Sequence, residues 1–449
     1  MHRKPLWSLT LLAGLAAASG GAFAALNAQE LEHLGKDLTP TGAEKAGNKD
    51  GAIPKWEGGL ATRPAGLDAT AAYADPFAAD KPLFTVTAAN VAQYQDKLPP
   101  GQIEMLKRMP TYKMVVYPSH RTAALPQHEY DNIKAEAAKA ALAEGGNGLR
   151  NVKNSSVPFP MPKSGLEAIW NYLARYRGEG FVRYSKIFPV QTNGNFTPVS
   201  RIEYLGSAAY VKNAEPNRLF YYLRGDTAPS SQAGTALLLH ETMDQVKEPR
   251  LAWTYNPGSR RVMRAPEISY DSPGPGEDGL GTADDYDGFN GAPDRFDWKL
   301  VGKKEMLIPY NNYRLVDKNV QANDVVRPGH MNQDLVRYEL HRVWVVESTL
   351  KEGKRHIYGK RVFYLDEDSW QLAHVDIYDG RKELWRVREM HAMQFYDAQT
   401  IGVACGVQYD LQARRYMVSN LINASKPMKY NEKFDVAAFS TDAMRRFAN

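Results

Sequence analysis

The chain has 449 residues, with 56 basic and 51 acidic side chains and a formal charge of +5. That balance gives no argument for nucleic-acid binding, and once Arg3 and Lys4 are removed the charge falls to +3 (54 minus 51). Hydrophobic residues at 43% and aromatics at 11%, with 25 tyrosines and 8 tryptophans, supply a large core of a kind that suits strands better than a helical bundle.

The N-terminus reads as a secretory signal. His2, Arg3 and Lys4 form a basic start, residues 6–18 are apolar, and Ala22-Phe23-Ala24 places cleavage after Ala24. The apolar run is shorter than the ~20 residues that span a bilayer, and no other segment of the expected mature chain, 25–449, reads as a membrane-spanning helix. No cysteine stands at the cleavage site for acylation. The single cysteine, Cys405, rules out a disulfide within the chain and reads as a small buried hydrophobe in an apolar stretch. These features point to an exported periplasmic protein.

Residues 25–100 read as an extended arm with a short helix at 26–34, followed by punctuation from Pro40, Gly42, Gly47, Gly51, Pro54, Gly58 and Gly59. From 101 to 449 the pattern is one β-domain with helices. Short helices are expected at 102–108 and 127–144, the latter stopped by Gly145-Gly146. A third runs from Ser164 to Gly178, with Leu166, Ile169, Trp170 and Leu173 at helical spacing. Strands are expected at 181–188, 199–205, 218–224, 235–243, 250–255 and 260–264, with a tight turn at Asn256-Pro257-Gly258-Ser259. A loop rich in Gly, Asp and Pro fills 266–298.

Residues 336–397 carry the clearest pattern. Val336, Tyr338, Leu340, Trp344 and Val346 share one parity, and Arg337, Glu339, His341 and Glu347 the other, which is a half-buried antiparallel strand. Runs at 357–365, 370–378 and 384–395 follow, the last two joined at Asp379-Gly380, a two-residue hairpin signal. Strands continue at 407–411 and 415–420, and a short helix closes the chain at 442–447. The fold class is therefore mainly β with helices: a large, curved, half-open antiparallel barrel covered by helices, able to enclose a ligand.

Chemistry is harder to find. In the loop, Asp285, Asp287, Gly288 and Asp294 fall where an EF-hand places ligands 3 and 5, its turn glycine and ligand 12, which makes a structural calcium site an expectation. Ala283 stands at the first ligand position, and ordinary solvated turn residues are the competing reading. His330, His341, His356, His374 and His391 come from different strands without H-x-x-x-H spacing. No nucleophile elbow, phosphate loop or C-x-x-C is present, so no catalytic residue is assigned and an enzyme is not expected. Arginine pairs at 260–261, 414–415 and 445–446 could each turn one member inward, although surface positions are the simpler reading.

The segments LNAQELEHLGKDLTPTGAEKAGNKDGAIPKWEGGL at 26–60, DGFNGAPDRFDWKLVGKKE at 287–305 and RHIYGKRVFYLDEDSWQLAHVDIYDGRKELWRV at 355–387 resemble the proteobacterial family called domain of unknown function 1329. That family is similar in fold to the lipoprotein-sorting carriers LolA and LolB. The stretch WTYNPGSRRVMR at 253–264 resembles the carriers' strand–turn–strand. The resemblance implies a half-open sheet closing on an apolar cavity and a periplasmic carrier for a lipid or other lipophilic molecule. It also implies a resistance-nodulation-division exporter and an outer-membrane protein as partners. Lining residues expected for such a cavity are Trp253, Tyr255, Trp344, Phe363, Tyr364 and Trp385. The alternative is a docking module whose arm and acidic loop engage an envelope transporter, and a lipid-directed hydrolase is the least supported reading.

Overall fold

The computed structural model describes residues 25–68, 70–154, 156–265, 270–423 and 425–448. The expected signal at 1–24 lies outside them. Sixteen strands form one sheet. In chain order these begin with β1 Phe84–Val86, β2 Met114–Val116, β3 Gly180–Val190, β4 Val199–Ser207, β5 Arg218–Ala228, β6 Ala236–Thr242, β7 Leu251–Asn256 and β8 Arg261–Arg264. They continue with β9 Phe296–Pro309, β10 Tyr338–Leu350, β11 Tyr358–Asp366, β12 Leu372–Asp379, β13 Leu384–Phe395, β14 Thr400–Asp410, β15 Arg415–Leu421 and β16 Lys429–Tyr430. Two antiparallel meanders, β10 to β15 and β3 to β8, join edge to edge where Tyr416 pairs with Val190. β9 lies along β10, β16 along β3, and β1–β2 attach through one parallel pairing, Tyr338 with Val116. The path does not close on itself: a half-open curved sheet partly covered by helices, as the alternating pattern predicts.

Helices cover both faces. Among those described are α1 Ala28–His33, α2 Pro100–Arg108, α3 Gln127–Ala137, α4 Gly165–Ala174, α5 Ala322–Val325 and α6 Thr441–Ala448. α4 starts where Ser164 accepts a hydrogen bond from the Glu167 amide. It buries Ile169, Trp170 and Leu173 against Val346, Phe363, Leu365 and Leu372, each such side chain contributing roughly 1.5–3 kcal/mol. α2 lies on the opposite face, packing Met105 and Leu106 with Val387, Val407 and Tyr409, and its Gly101 amide donates to Asp376 at 2.9 Å. α6 covers the second meander, setting Met444 and Phe447 against Tyr221 and Leu238. No described helix is long and apolar enough to cross a membrane.

At Gly165 the start of α4 touches β9. An added Cβ would meet the backbone of Trp298 and Lys299 at 2.9–3.0 Å. Alanine favours helix over glycine by about 1 kcal/mol, but backbone cannot swing aside as a side chain does, and overpacking costs ~1–3 kcal/mol. Gly165→Ala is therefore expected to destabilise by about 1 kcal/mol net or slightly more, read as a lower urea midpoint with an unchanged slope.

Several local expectations change. The helix expected at 127–144 stops at Ala137, and 141–142 pairs with 149–150 as a small ladder. The turn between β12 and β13 is not a two-residue hairpin: the Asp379 amide donates to the Glu383 carbonyl, so residues 380–382 make the turn, and Lys382 rather than Gly380 takes the left-handed conformation (φ +67°). The Asp379 carboxylate accepts from the amides of Arg381 and Glu383, which holds that longer turn. The arm is packed down, with Ala43 and Ile53 buried. Arg121 clamps it by donating to the carbonyls of Glu44, Lys45, Ala46 and Pro54. Cys405 is buried as expected, and burial pushes its thiol well above the ordinary cysteine range.

Candidate functional site: a guanidinium seam under the acidic loop

The acidic loop lies over the sheet beside α4, and its contact with the strands is dominated by arginine. On β3 and β4, Arg183 makes a two-pronged pair with Glu203 at 2.7 and 2.8 Å, while Ser185 and Tyr222 each donate to the same carboxylate at 2.7 Å. Beside them Arg201 donates to Asp226 at 2.7 Å and to the loop carbonyl of Pro275. On β11, Arg361 donates to Asp284 at 2.8 Å. On β13, Arg386 reaches the Tyr358 hydroxyl at 2.7 Å and the Gly279 carbonyl at 2.8 Å, and Arg388 reaches the Asp285 carbonyl. The strands deliver these cations to one side because alternate residues share a face. Each fork then meets an oxygen that was carried in by the loop or stands on a neighbouring strand.

The loop residues singled out for calcium have these partners. Asp285 accepts from Tyr358 at 2.9 Å and Gln408 at 3.2 Å. Asp287 accepts from Arg175 at 2.6 Å and Arg177 at 3.1 Å, both just beyond the end of α4. Asp294 sits in a separate 3₁₀ turn, where its carbonyl accepts from Lys351. The three carboxylates do not converge, and arginine already meets the charge of Asp287. Burial would raise the Asp287 carboxyl, but Arg175 and Arg177 outweigh it and hold the group below the usual range. Asp284, which the EF-hand spacing passes over, is the most enclosed of the set, between Arg361, His356 at 3.2 Å and the Thr282 hydroxyl at 2.6 Å.

The six residues expected to line one cavity are distributed. Phe363 packs against Phe289 and Trp298 in the seam layer, and Trp344 stacks on Trp370 at 6.0 Å nearby. Trp385 lies under Arg386 and donates to Asp410 at 3.0 Å. Tyr364 belongs to the opposite face, where it clusters with Val343 and Val345. Trp253 and Tyr255 pack in the cluster beneath α6. A narrow cleft of about 40 Å³ reaches the seam, at the end nearest Asp287. Arg175, Arg177 and Arg183 line it together with Phe181, Met428 and Tyr430, and the Arg183 guanidinium lies over the Phe181 ring at 5.2 Å. Sequence reasoning missed these arginines. The signal for them was single arginines two residues from an aromatic or another arginine on a strand, as in Phe181/Arg183 and Arg386/Arg388.

The DUF1329 family model, a protein family of unknown function, matches residues 85–445. This chain belongs to that family. An uncharacterised protein of Pseudomonas aeruginosa is 52% identical over 408 residues, 90% of each chain. Among solved structures, a putative outer-membrane lipoprotein-sorting protein domain from Vibrio parahaemolyticus aligns at TM-score 0.44 and 15% identity, covering 63% of this chain and 98% of that one. A DUF1329 family protein from Desulfovibrio piger aligns at TM-score 0.43 and 15% identity, covering 62% and 95%. A LolA superfamily protein from Nitrosomonas europaea aligns at TM-score 0.39 and 11% identity, covering 63% and 100%.

Proposed function

We propose that this DUF1329 protein is a periplasmic binding protein of carrier type for an amphiphile, whose anionic head group takes the place of Asp287 between Arg175 and Arg177. The observation that carries this reading is the cleft lined by three arginines together with Phe181, Met428 and Tyr430. Charged and apolar side chains lining one opening suit a molecule with a head and a tail. Each buried ligand CH₂ would contribute about 0.8 kcal/mol, and a guanidinium fork supplies orientation. Asp287 acts as an internal stand-in for the ligand's charge. Its backbone is left-handed (φ +53°), a conformation most side chains avoid and one that tends to mark functional segments. Release of the loop at this end would lengthen the cleft along the seam toward Phe363 and Trp385. An exporter of the resistance-nodulation-division class and an outer-membrane protein are the proposed machinery on either side of the carrier.

Native mass spectrometry of gently purified protein should show a co-purifying lipid-like mass. A dansylated fatty acid should bind at least ~10-fold more tightly to Asp287→Ala than to the parent chain, since the substitution removes the carboxylate that competes for both arginines (about 1.4 kcal/mol per tenfold). Arg177→Ala should weaken it. A protein that carries no such mass, and whose parent and Asp287→Ala forms both leave the probe unshifted, is not a carrier of this kind.

A further inference from the structure

A second buried polar cluster lies away from the seam, on the face of β10 and β11 that carries Val343, Val345 and Tyr364. Glu339, His341, Asp366 and Asp368 are all at most 6% exposed. Three of the carboxylates in and beside this cluster have a cation of their own. Arg337 donates to Glu339, Arg121 grips Asp368 at 2.9 and 2.6 Å, and Lys303 holds Glu367 at 2.9 Å. Asp366 has no such partner. One of its oxygens accepts from Tyr310 and Ser369, while the other, Oδ1, is buried without any hydrogen bond. The nearest positive candidate is the Nδ1 atom of His341, 3.9 Å from Oδ1 and beyond hydrogen-bonding reach.

His341 is set as metal-binding histidines are set. Its Nε2 lies 3.0 Å from the Glu339 carboxylate, which accepts only, so Nε2 carries the proton and the Nδ1 lone pair is turned toward Asp366. The Tyr310 ring, 4.0 Å away, fixes the imidazole plane. One donor atom each from His341, Asp366 and Asp368 lies within 4.8 Å of the others. A tetrahedral shell with bonds of about 2.0–2.2 Å needs donors roughly 3.3 Å apart, so small rotations close the set. Arg121 need not leave, because each carboxylate oxygen has a second lone pair.

We propose that His341, Asp366 and Asp368 bind one divalent transition-metal ion of the zinc or manganese class. One imidazole and two carboxylates suit those ions better than calcium, which prefers six to eight oxygens. The ion supplies the positive charge that Asp366 lacks. Burial and the charge of Asp368 otherwise push that carboxyl up to about 6. Its role is to fasten the turn at 366–369 beneath the N-terminal arm, where Thr41 donates to the Asp368 carbonyl and the Glu44 amide to Glu367. Glu339 is a positioning residue.

The test uses the full exported chain, stripped with a chelator, dialysed against Zn²⁺ or Mn²⁺ in turn and assayed for bound metal, with Co²⁺ absorbance as a report on the ligand shell. The expected result is one ion per chain, a raised melting temperature, and slower proteolysis of the arm at 39–60. Asp366→Asn should weaken binding at least 100-fold while its metal-free form melts no lower than the metal-free parent, because the unpaired charge is gone. His341→Gln should bind as poorly, and Glu339→Gln roughly 10- to 100-fold more weakly than the parent. Absence of stoichiometric Zn²⁺ and Mn²⁺ in the parent chain overturns the site, as does retention of the ion by Asp366→Asn and His341→Gln. Neither outcome bears on amphiphile binding at Asp287, which has its own probe.

Discussion

Replacing Arg361 with methionine should destabilise the protein by about 3–5 kcal/mol, the range for removing one partner of a buried ion pair. Arg361 is 1% exposed and lies between the rings of Tyr358, Phe289 and Phe296 at 4.6, 5.4 and 5.3 Å. Its guanidinium is the strong partner of Asp284, which is fully buried. Methionine keeps much of the packing, so the loss reports mainly the stranded carboxylate. The double variant Arg361→Met/Asp284→Asn removes both charges and should recover on the order of 1–3 kcal/mol relative to Arg361→Met alone, a coupling expected of groups in direct contact. Urea denaturation followed by tryptophan fluorescence gives both numbers. A cost under about 1 kcal/mol for Arg361→Met would mean that His356 and Thr282 suffice to hold Asp284, and that the loop does not depend on the strand arginines.

This dependence separates what was readable in the sequence from what was not. The meander at 336–397 was legible because its strands alternate and its breaks are turn residues. Trp344 and Val346 face α4, as that parity requires. The other parity was misread as solvated, since Arg337, Glu339 and His341 are buried. A period of two says which residues share a face, not whether that face meets water, and here the arm and Tyr310 cover it. β9 went unnoticed for the converse reason. Its first two-thirds is an edge exposing Asp297, Lys303 and Lys304, and charged edges that resist strand addition look like loop. The arginine pairs at 260–261 and 445–446 are exposed on a sheet edge and on α6, whereas Arg183, Arg201, Arg361, Arg386 and Arg388 are buried and each stands within a strand without an adjacent arginine. Composition marked the acidic loop as special, but only the fold shows that its carboxylates answer arginines more than 70 positions away, such as Asp284 and Arg361. The expected apolar lining failed on the same ground: six aromatics read from strand pattern alone divide among three clusters on two faces.

The second large effect depends on pH. Glu203 is 1% exposed, and burial alone would raise its carboxyl. The two-pronged Arg183 pair and the hydroxyls of Tyr222 and Ser185 outweigh burial and hold it at about 2, against an ordinary 4.5. The unfolded chain therefore takes up this proton first as the solution is acidified. The folded state keeps the full benefit above about pH 5, loses it progressively below that, and has lost it once the pH falls through about 2. The linked stabilisation at neutral pH is on the order of 3 kcal/mol. Glu203→Gln should lower the unfolding free energy by about that amount at pH 7, and the gap between variant and parent should shrink to roughly half or less by pH 3. The reason is that by pH 3 the unfolded parent has taken up this proton while the folded Glu203, held at about 2, is still largely ionised, so acid favours the unfolded parent and leaves the variant untouched. Urea titrations of both proteins at a series of pH values measure the gap directly. A difference that stays constant from pH 7 to pH 3 would mean that the substitution acts through packing alone. A gap that widens on acidification would reverse the sign of the linkage and place the Glu203 proton on the folded state.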